Sequence, residues 1–560
     1  MRSKIDVHDT TLRDGAQTPF IGMDFWDRYI IAKVLANIGV DVIEIGFAAN
    51  DVDYEPMKRI AKYIGNRKYS RNRTVPVVCA LARVLEEDVN LAYETIEPAD
   101  SEKRRIHVFI GTSEELMNYS HGKREKEILS LIESNVGRAR ELVGEQGQVE
   151  YSSEDALRTD FDFLAETIQT AIDNGADVIN VPDTTGFARP DKYYDTIKEL
   201  RRRVKGIEEA TLSAHIHNDS GNAVATTMKG IEAGIRQVEG TILQLGERAG
   251  NADWLTVVTN LRIMREYYGV DVDHIDTTMF NDLARLVSSI TRYPIPLTHP
   301  VTGKATFSES AGIHVKGVIN NYQTYFVIPP ELVGREMDIV LGQTSGRNTV
   351  AYFLRRNSYG ELGKDYTTEQ LDRMTSAIKR YSVEIKDGLT STESKLFAEH
   401  YIKGKPLEKR VELVDFNSRN SRSGKPSIEI ILRVDGKERG GTGKGEGPVD
   451  AYMVAIEEAS GIAHCELKYW EERAAYRGRG AYGFELLDQM EFSDEENELL
   501  RFNGGSSKGQ EAVAESLVEV LYNQGTYYGR GVARDITLAT YEAITNAFDA
   551  IFRLNDSIHK

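Results

Sequence analysis

Three times in the first 270 or so residues, an amphipathic stretch ends in glycine and a short β-branched run follows it. Ala36-Asn37-Ile38-Gly39 leads into Asp41–Ile45, Ile172-Asp173-Asn174-Gly175 into Asp177–Val181, and Ile231-Glu232-Ala233-Gly234 into Arg236–Gly240. Glycine takes the left-handed conformation cheaply, so each junction reads as helix, C-cap, strand. Five further apolar runs, Ile5–Val7, Val75–Leu81, Ile106–Ile110, Val149–Tyr151 and Thr211–Ile216, complete a set of eight strands separated mostly by helical patterns. Strands that alternate with helices predict a parallel sheet, and eight such units in about 250 residues fit a closed (β/α)8 TIM barrel. The barrel is predicted over residues 1–272; an open doubly wound sheet is the structural alternative.

Beyond it the grammar changes to mixed loops and helices over 273–403, read as helical linker subdomains. One long helical pattern runs from Thr367 to Leu396, and the polar stretch Ser418–Lys425 reads as a loop or hinge. Residues 404–560 form a third unit with an internal echo. A strand pattern at Ile428–Val434, Gly-rich Gly440–Gly447 and a helical pattern Val449–Ala459 are matched by Val518–Tyr522, Gly525–Gly531 and Ile536–Phe552. The expectation is an α+β regulatory or dimerising domain built as a pseudo-repeat. A plain duplicated scaffold fits nearly as well.

With 69 Lys+Arg against 87 Asp+Glu the formal charge is −18, which argues against a general nucleic-acid or anionic-membrane binder. Two cysteines, Cys79 and Cys465, exclude a disulfide framework and a CxxC metal site. The sequence has no apolar run long enough to predict a transmembrane helix, and Met1–Asp9 lacks a signal peptide's hydrophobic stretch. A soluble, cytoplasmic multidomain protein is the expectation.

His215-Ile216-His217 is the sharpest chemical feature. Side chains two apart in a strand share a face, so both imidazoles project from the C-terminal end of strand 7, where barrel active sites are built. Alone, the pair reads equally well as two hydrogen-bonded histidines in a polar mouth. Asp14 ends strand 1, and in a closed barrel strand 1 lies beside strand 8, itself beside strand 7. Asp14 could therefore join the histidines, with Asn251 or Glu247 from the loop after strand 8. Two nitrogens and two or more oxygens suit Mg²⁺, Mn²⁺ or a similar ion. Arg13 could stabilise a developing enolate or alkoxide, although a structural salt bridge is the commoner role for an arginine. Glu150 is an acid in an otherwise buried strand; pairing with a cation is its plainer reading, and Arg13 would qualify. Gly441-Thr442-Gly443-Lys444 is only part of a phosphate loop, because Gly445 stands where Ser or Thr is needed.

These segments resemble the α-isopropylmalate synthase group of the DRE-TIM metallolyases. The likeness rests on Asp9-Thr10-Thr11-Leu12-Arg13-Asp14-Gly15, Asn180-Val181-Pro182-Asp183-Thr184, His215-Ile216-His217-Asn218-Asp219, Gly246-Glu247-Arg248-Ala249-Gly250-Asn251 and Glu309-Ser310-Ala311-Gly312-Ile313-His314. Gly445–Ala451 and Tyr528-Gly529-Arg530-Gly531 are similar to the C-terminal allosteric domain of these synthases, which binds leucine. The resemblance implies Asp14, His215, His217 and Asn251 as ligands of a divalent metal (Mg, Mn or Zn). It implies acetyl-CoA as co-substrate and a Claisen condensation with a 2-oxo acid, followed by thioester hydrolysis. Arg13 would stabilise oxygen charge, and Glu150 would orient groups near the attacking carbon. His314 would be the base, reaching the site from the other subunit of a homodimer. His107, Gln148, Asn180 and Thr184 match positions around the oxo-acid pocket, and an amino-acid effector is implied at the C-terminal domain. Ala16, His8 and Gln148 depart from the usual pattern. 2-Oxoisovalerate is the expected acid; citramalate or homocitrate synthase, a metal-dependent C–C lyase on the same barrel, and a non-catalytic regulator are the alternatives.

Overall fold

The computed structural model describes residues 2–48, 51–69, 74–406, 408–421, 424–476, 512–533 and 535–555. They fall into two compact units, Met1–Ser308 with Tyr322–Met337, and Glu309–Asn321 with Asp338–Lys560. The stretch 273–403 is thus divided between the two.

The first unit is a closed parallel barrel. Its strands are β1 (Asp6–Asp9), β2 (Val42–Phe47), β3 (Val77–Arg83), β4 (Arg104–Gly111), β5 (Gln148–Glu154), β6 (Val178–Asn180), β7 (Thr211–His215) and β8 (Gln237–Gly240). Each pairs with the next, and β1 closes on β8 with Asp6 opposite Gln237 and Asp9 opposite Gly240. The glycine signals act as read: Gly39 caps the helix Phe25–Ile38 at φ 99° and Gly234 the helix Ala223–Ala233 at φ 126°. Strand alternation sorts β4 into two faces. Ile106 and Val108 join the buried apolar layer. Arg105 and His107 point inward to buried polar partners on β5.

In the second unit, β9 (Val411–Ser421), β10 (Gly424–Val434) and β11 (Lys437–Lys444) form one antiparallel sheet. A second contains β12 (Glu466–Tyr476), β13 (Ala512–Tyr522) and β14 (Gly525–Ala533). One helix follows each sheet, Pro448–Ser460 and Ile536–Leu554. The helices meet through Tyr452 and Tyr541, stacked with ring centroids 4.2 Å apart, and Tyr452 Oη lies 2.7 Å from Thr545 Oγ1.

Two sequence expectations change here, and the Gly-rich stretches acquire an element. Ser418–Lys425 is not a free loop, because its described residues lie on the paired strands β9 and β10. The Gly-rich stretches are mostly strand, and their glycines admit a helix. A Cβ on Gly441 would lie 2.1 Å from the Ala455 carbonyl, and one on Gly443 1.9 Å from that of Ala451. Gly529 and Gly531 stand in the same relation to Ala543 and Ala539, at 1.9 and 2.0 Å. The pattern Thr367–Leu396 is two helices, Thr368–Ile385 and Ser391–Tyr401, each with its own capping box. Lys386 in the left-handed conformation ends the first, and Ser382 Oγ donates to the Asp387 carbonyl to hold the break.

Arg530 joins this break to the second sheet. Its guanidinium lies 3.3 Å from both Asp387 and Glu393 and also pairs with Glu515. Arg530→Ala would leave three carboxylates facing one another around a nearly buried site. It should destabilise the second unit by about 3 kcal/mol, read as a lower midpoint in urea unfolding.

Candidate active site

The site is built where β1 and β8 end. Asp9 accepts hydrogen bonds from the Thr11 amide at 3.0 Å, Thr11 Oγ1 at 2.8 Å and Trp254 Nε1 at 2.7 Å. Burial nevertheless pushes its carboxyl up to about 7. Thr11 Oγ1 in turn accepts from the Ile242 amide at 3.0 Å, tying the β1 loop to the β8 loop. The β8 loop folds tightly because of two glycines. Gly250 has φ +74°, and a Cβ there would lie 1.6 Å from the Gln244 carbonyl; a Cβ on Gly246 would lie 3.0 Å from Asn251 Nδ2 and 3.3 Å from Asp14.

Asp14, His215, His217 and Asn251 converge there. Asp14 Oδ2 is 3.3 Å from His215 Nε2 and 3.7 Å from His217 Nε2, and the two Nε2 atoms are 3.3 Å apart. Asn251 Nδ2 donates to Asp14 Oδ2 at 2.5 Å, and its Oδ1 accepts from Thr241 Oγ1 at 2.9 Å. A half-turn of the carboxamide exchanges these two atoms. Burial pushes Asp14 up, but the His215 hydrogen bond and the Arg13 and His217 charges outweigh it, holding the carboxyl well below its usual range. Burial pushes His215 down, and Asp14 and Glu239 more than reverse this, to about 9. His217, buried beside His215, falls to about 4. Its Nδ1 is buried without a hydrogen-bond partner among the described residues. Two imidazoles, a carboxylate and a carboxamide crowded around one point fit a divalent cation of the Mg²⁺, Mn²⁺ or Zn²⁺ kind.

From Arg13 a belt of polar contacts runs around the barrel and back to Asp14. Arg13 Nε donates to Glu44 at 2.5 Å, Glu44 lies 2.9 Å from His107 Nδ1, and His107 Nε2 lies 2.6 Å from Ser152 Oγ. Asn180 Nδ2 donates to Ser152 Oγ at 2.8 Å and reaches Glu239 at 3.4 Å; Glu239 faces His215 Nδ1 at 3.5 Å. Burial raises the Glu44 carboxyl, and Arg13 and His107 more than reverse it. Above the belt opens a cavity of about 240 Å³. Its polar lining includes Arg13, Asp14, Ser152, Glu154, Asn180 and Thr184, and its apolar lining includes Phe47, Leu81, Phe109 and Pro182. A wider groove of about 610 Å³ on the barrel flank reaches Asn251 from outside. Its charged lining residues, Lys229 and Glu232, pair with each other.

The HMGL-like family model matches residues 4–287, the homocitrate synthase post-HMGL domain-like model residues 301–386, and the LeuA allosteric (dimerisation) domain model residues 375–485. The 2-isopropylmalate synthase of Aquifex aeolicus (strain VF5) is 36% identical over 471 residues, 84% of this chain and 87% of that protein. That of Pyrococcus furiosus is 33% identical over 570 residues, 99% of this chain and 100% of that protein. The chain belongs to the 2-isopropylmalate synthase family. The synthase of Acetivibrio thermocellus is also similar, 36% identical over 81% of this chain and 85% of its own length.

Within this member of the synthase family, Arg13, Asp14, His107, Asn180, Thr184, His215 and His217 all line the cavity, and Asn251 lies buried against Asp14. Two residues expected there do not reach it. Gln148 is the first residue of β5, at the opposite end of the barrel, and accepts from Arg105 at 2.9 and 2.6 Å. Glu150 is deep in the barrel, accepting from Arg105 and Gln237 at 3.0 Å and facing His8 at 3.4 Å. Its cationic partner is therefore Arg105, and that of Arg13 is Glu44. His314 belongs to the second unit, on the helix Gly312–Asn320, with Nδ1 3.2 Å from Glu309 Oε2. The residues missed were Glu44, Ser152, Glu154 and Glu239. For two of them the signal was present: Ser152 and Glu154 follow Glu150 at the strand period of two, toward the end that carries the chemistry.

Gly250→Ala is expected to keep the barrel folded but displace Asn251. Circular dichroism should be unchanged, while turnover falls about 100-fold or more.

Proposed function

We infer that the chain is an acyltransferase that condenses acetyl-CoA with 2-oxoisovalerate, giving 2-isopropylmalate by Claisen condensation and thioester hydrolysis. Family membership supports the reaction. The observation that carries the choice of acid is the pairing, in one cavity, of the polar set around Asp14 with the apolar side chains Phe47, Leu81, Phe109 and Pro182. A branched aliphatic tail suits that apolar set. The second carboxylate of 2-oxoglutarate would need a cation, and the lining arginines, Arg13 and Arg248, are already paired with Glu44 and Asp219. Pyruvate would leave the apolar set uncovered. The sister condensations and the lyase reading are not favoured.

In this reading Asp14, His215, His217 and Asn251 hold the divalent cation, which when bound supplies the Lewis acidity that polarises the keto group. Arg13, mostly shielded from solvent and anchored by Glu44, presents a permanent positive charge to the oxygen that gains negative charge during attack. His107, Asn180 and Thr184 position the oxo acid. Glu154 has its carboxyl raised by burial and by Asp155, which suits it to carry a proton at the cavity. His314 removes the acetyl methyl proton, and Glu309 orients its ring and stabilises the imidazolium. The base comes from the second subunit of a homodimer, consistent with the LeuA allosteric (dimerisation) domain, which would also take an amino-acid effector. Residues 1–272 are the catalytic barrel, 273–403 the linker and 404–560 the regulatory domain. No helix among the described residues is long and apolar enough to cross a membrane, and the reading locates the enzyme in the cytoplasm with its substrates.

CoA release from acetyl-CoA, measured with Mg²⁺ or Mn²⁺ across 2-oxoisovalerate, pyruvate, 2-oxobutyrate, 2-oxoglutarate and glyoxylate, tests this. The kcat/KM for 2-oxoisovalerate should exceed that for pyruvate by roughly 10–200-fold. Chelation should abolish release, and leucine should suppress it. Absence of CoA release with every acid would overturn the reading. In the same assay His314→Ala should lower kcat by about 100-fold or more and leave the oxo-acid KM nearly unchanged; an unchanged kcat removes His314 as base.

A further inference from the structure

Glu239 is an acid that none of the assigned roles uses, yet it stands between two parts of the site. It lies on β8, opposite His215 on one neighbouring strand and His8 on the other. Its side chain is buried, and its two oxygens are divided between neighbours. Oε1 accepts from Ser213 Oγ at 2.6 Å. Oε2 faces His215 Nδ1 at 3.5 Å and receives Asn180 Nδ2 at 3.4 Å. His215 Nδ1 is itself buried and has no hydrogen-bond partner within bonding distance among the described residues.

An imidazole can offer a lone pair at Nε2 and stay neutral only if its proton is at Nδ1. A carboxylate facing Nδ1 favours that tautomer, fixes the ring's rotation and raises the basicity of the opposite nitrogen. Asn180, on the same Glu239 oxygen, belongs to the oxo-acid pocket through Ser152. One carboxylate therefore contacts a metal-ligand candidate and a substrate-pocket residue at once.

We propose that Glu239 is a positioning residue, which sets the tautomer and orientation of His215 for the cation and, through Asn180, aligns that ligand with the oxo-acid pocket. This rests on the metal reading above. Ser213 is the brace: by occupying Oε1 it leaves Oε2 aimed at His215. Glu150 is an equally buried acid of the same barrel but lies against Arg105 and Gln237, with no contact to a metal-ligand candidate.

The test is Mn²⁺ binding to the purified full-length chain by calorimetry or EPR, with the Co²⁺ absorption spectrum as a second readout. Circular dichroism and the thermal midpoint of the metal-free protein serve as fold controls. Glu239→Gln should weaken Mn²⁺ binding about 10–100-fold and alter the Co²⁺ bands in a folded protein. Ser213→Ala, a smaller change, should weaken it by about 2–10-fold. A folded Glu239→Gln chain with wild-type Mn²⁺ affinity and an unchanged Co²⁺ spectrum overturns the proposal. If Glu239→Gln does not fold, Ser213→Ala decides, and unaltered Mn²⁺ affinity there rejects it. A wild-type chain that binds no Mn²⁺ or Co²⁺ instead overturns the metal reading on which the proposal depends.

Discussion

The parallel pairing of β1 with β8 is the constraint on which the site depends. Asp14 and the histidine pair are separated by about 200 residues of chain, and only a closed sheet brings them together. The closure is reinforced where the strands end. Trp254 donates to Asp9, Ile242 donates to Thr11, and Asn251 donates to Asp14, so the last loop of the barrel is stitched to the first. Opening that seam would separate the ligand candidates without breaking a single helix.

Closure also explains why so polar an interior is tolerated. Barrels of this kind are ordinarily filled with branched apolar side chains, whereas this one buries Arg105, Glu150, Glu44, His107 and Glu239. Each has a partner on a neighbouring or facing strand, so the charges are countered within the barrel. A network of this sort favours one arrangement of side chains over its alternatives, because a half-satisfied version leaves a charge stranded in low dielectric. Groups so held need little reorganisation when charge develops in the reaction. The apolar side chains Phe47, Leu81, Phe109 and Pro182 line the same cavity as Arg13, Asp14 and the histidines.

Much of this was legible in the sequence. The glycine caps and β-branched runs located all eight barrel strands, and strand alternation at His215 and His217 led to the cluster of candidate ligands. Proximity of Asp14 followed from barrel closure alone. The two misplaced pocket residues, Glu150 and Gln148, have a common physical origin: the difference concerns depth along a strand rather than which strand or which face. The run read as β5 stopped at Tyr151, and the family resemblance placed Glu150 near the attacking carbon and Gln148 around the oxo-acid pocket. The strand continues to Glu154, and the extra residues move Glu150 into the interior and Gln148 to the far end. Glu44 and Glu239 went unnoticed because a carboxylate inside an apolar run gives no hint of which histidine it will face. The Gly-rich stretches of the second unit were noted without an element assigned to them, since glycine in a loop and glycine in a strand beneath a helix look alike in one dimension.

Those glycines carry a further consequence. In both copies of the C-terminal repeat the helix lies so close to its sheet that backbone touches backbone, at Gly441 and Gly443 against Ala455 and Ala451, and at Gly529 and Gly531 against Ala543 and Ala539. Apart from the Ala459 methyl beside Gly441, the close neighbours at these four glycines are backbone atoms of the helix, so few of the contacts can be retuned by exchanging one side chain for another. The ancestry of the duplication should therefore be written in residues that have almost nothing to vary. Two halves free to diverge across their outer surfaces stay alike along a narrow stripe of glycine and alanine.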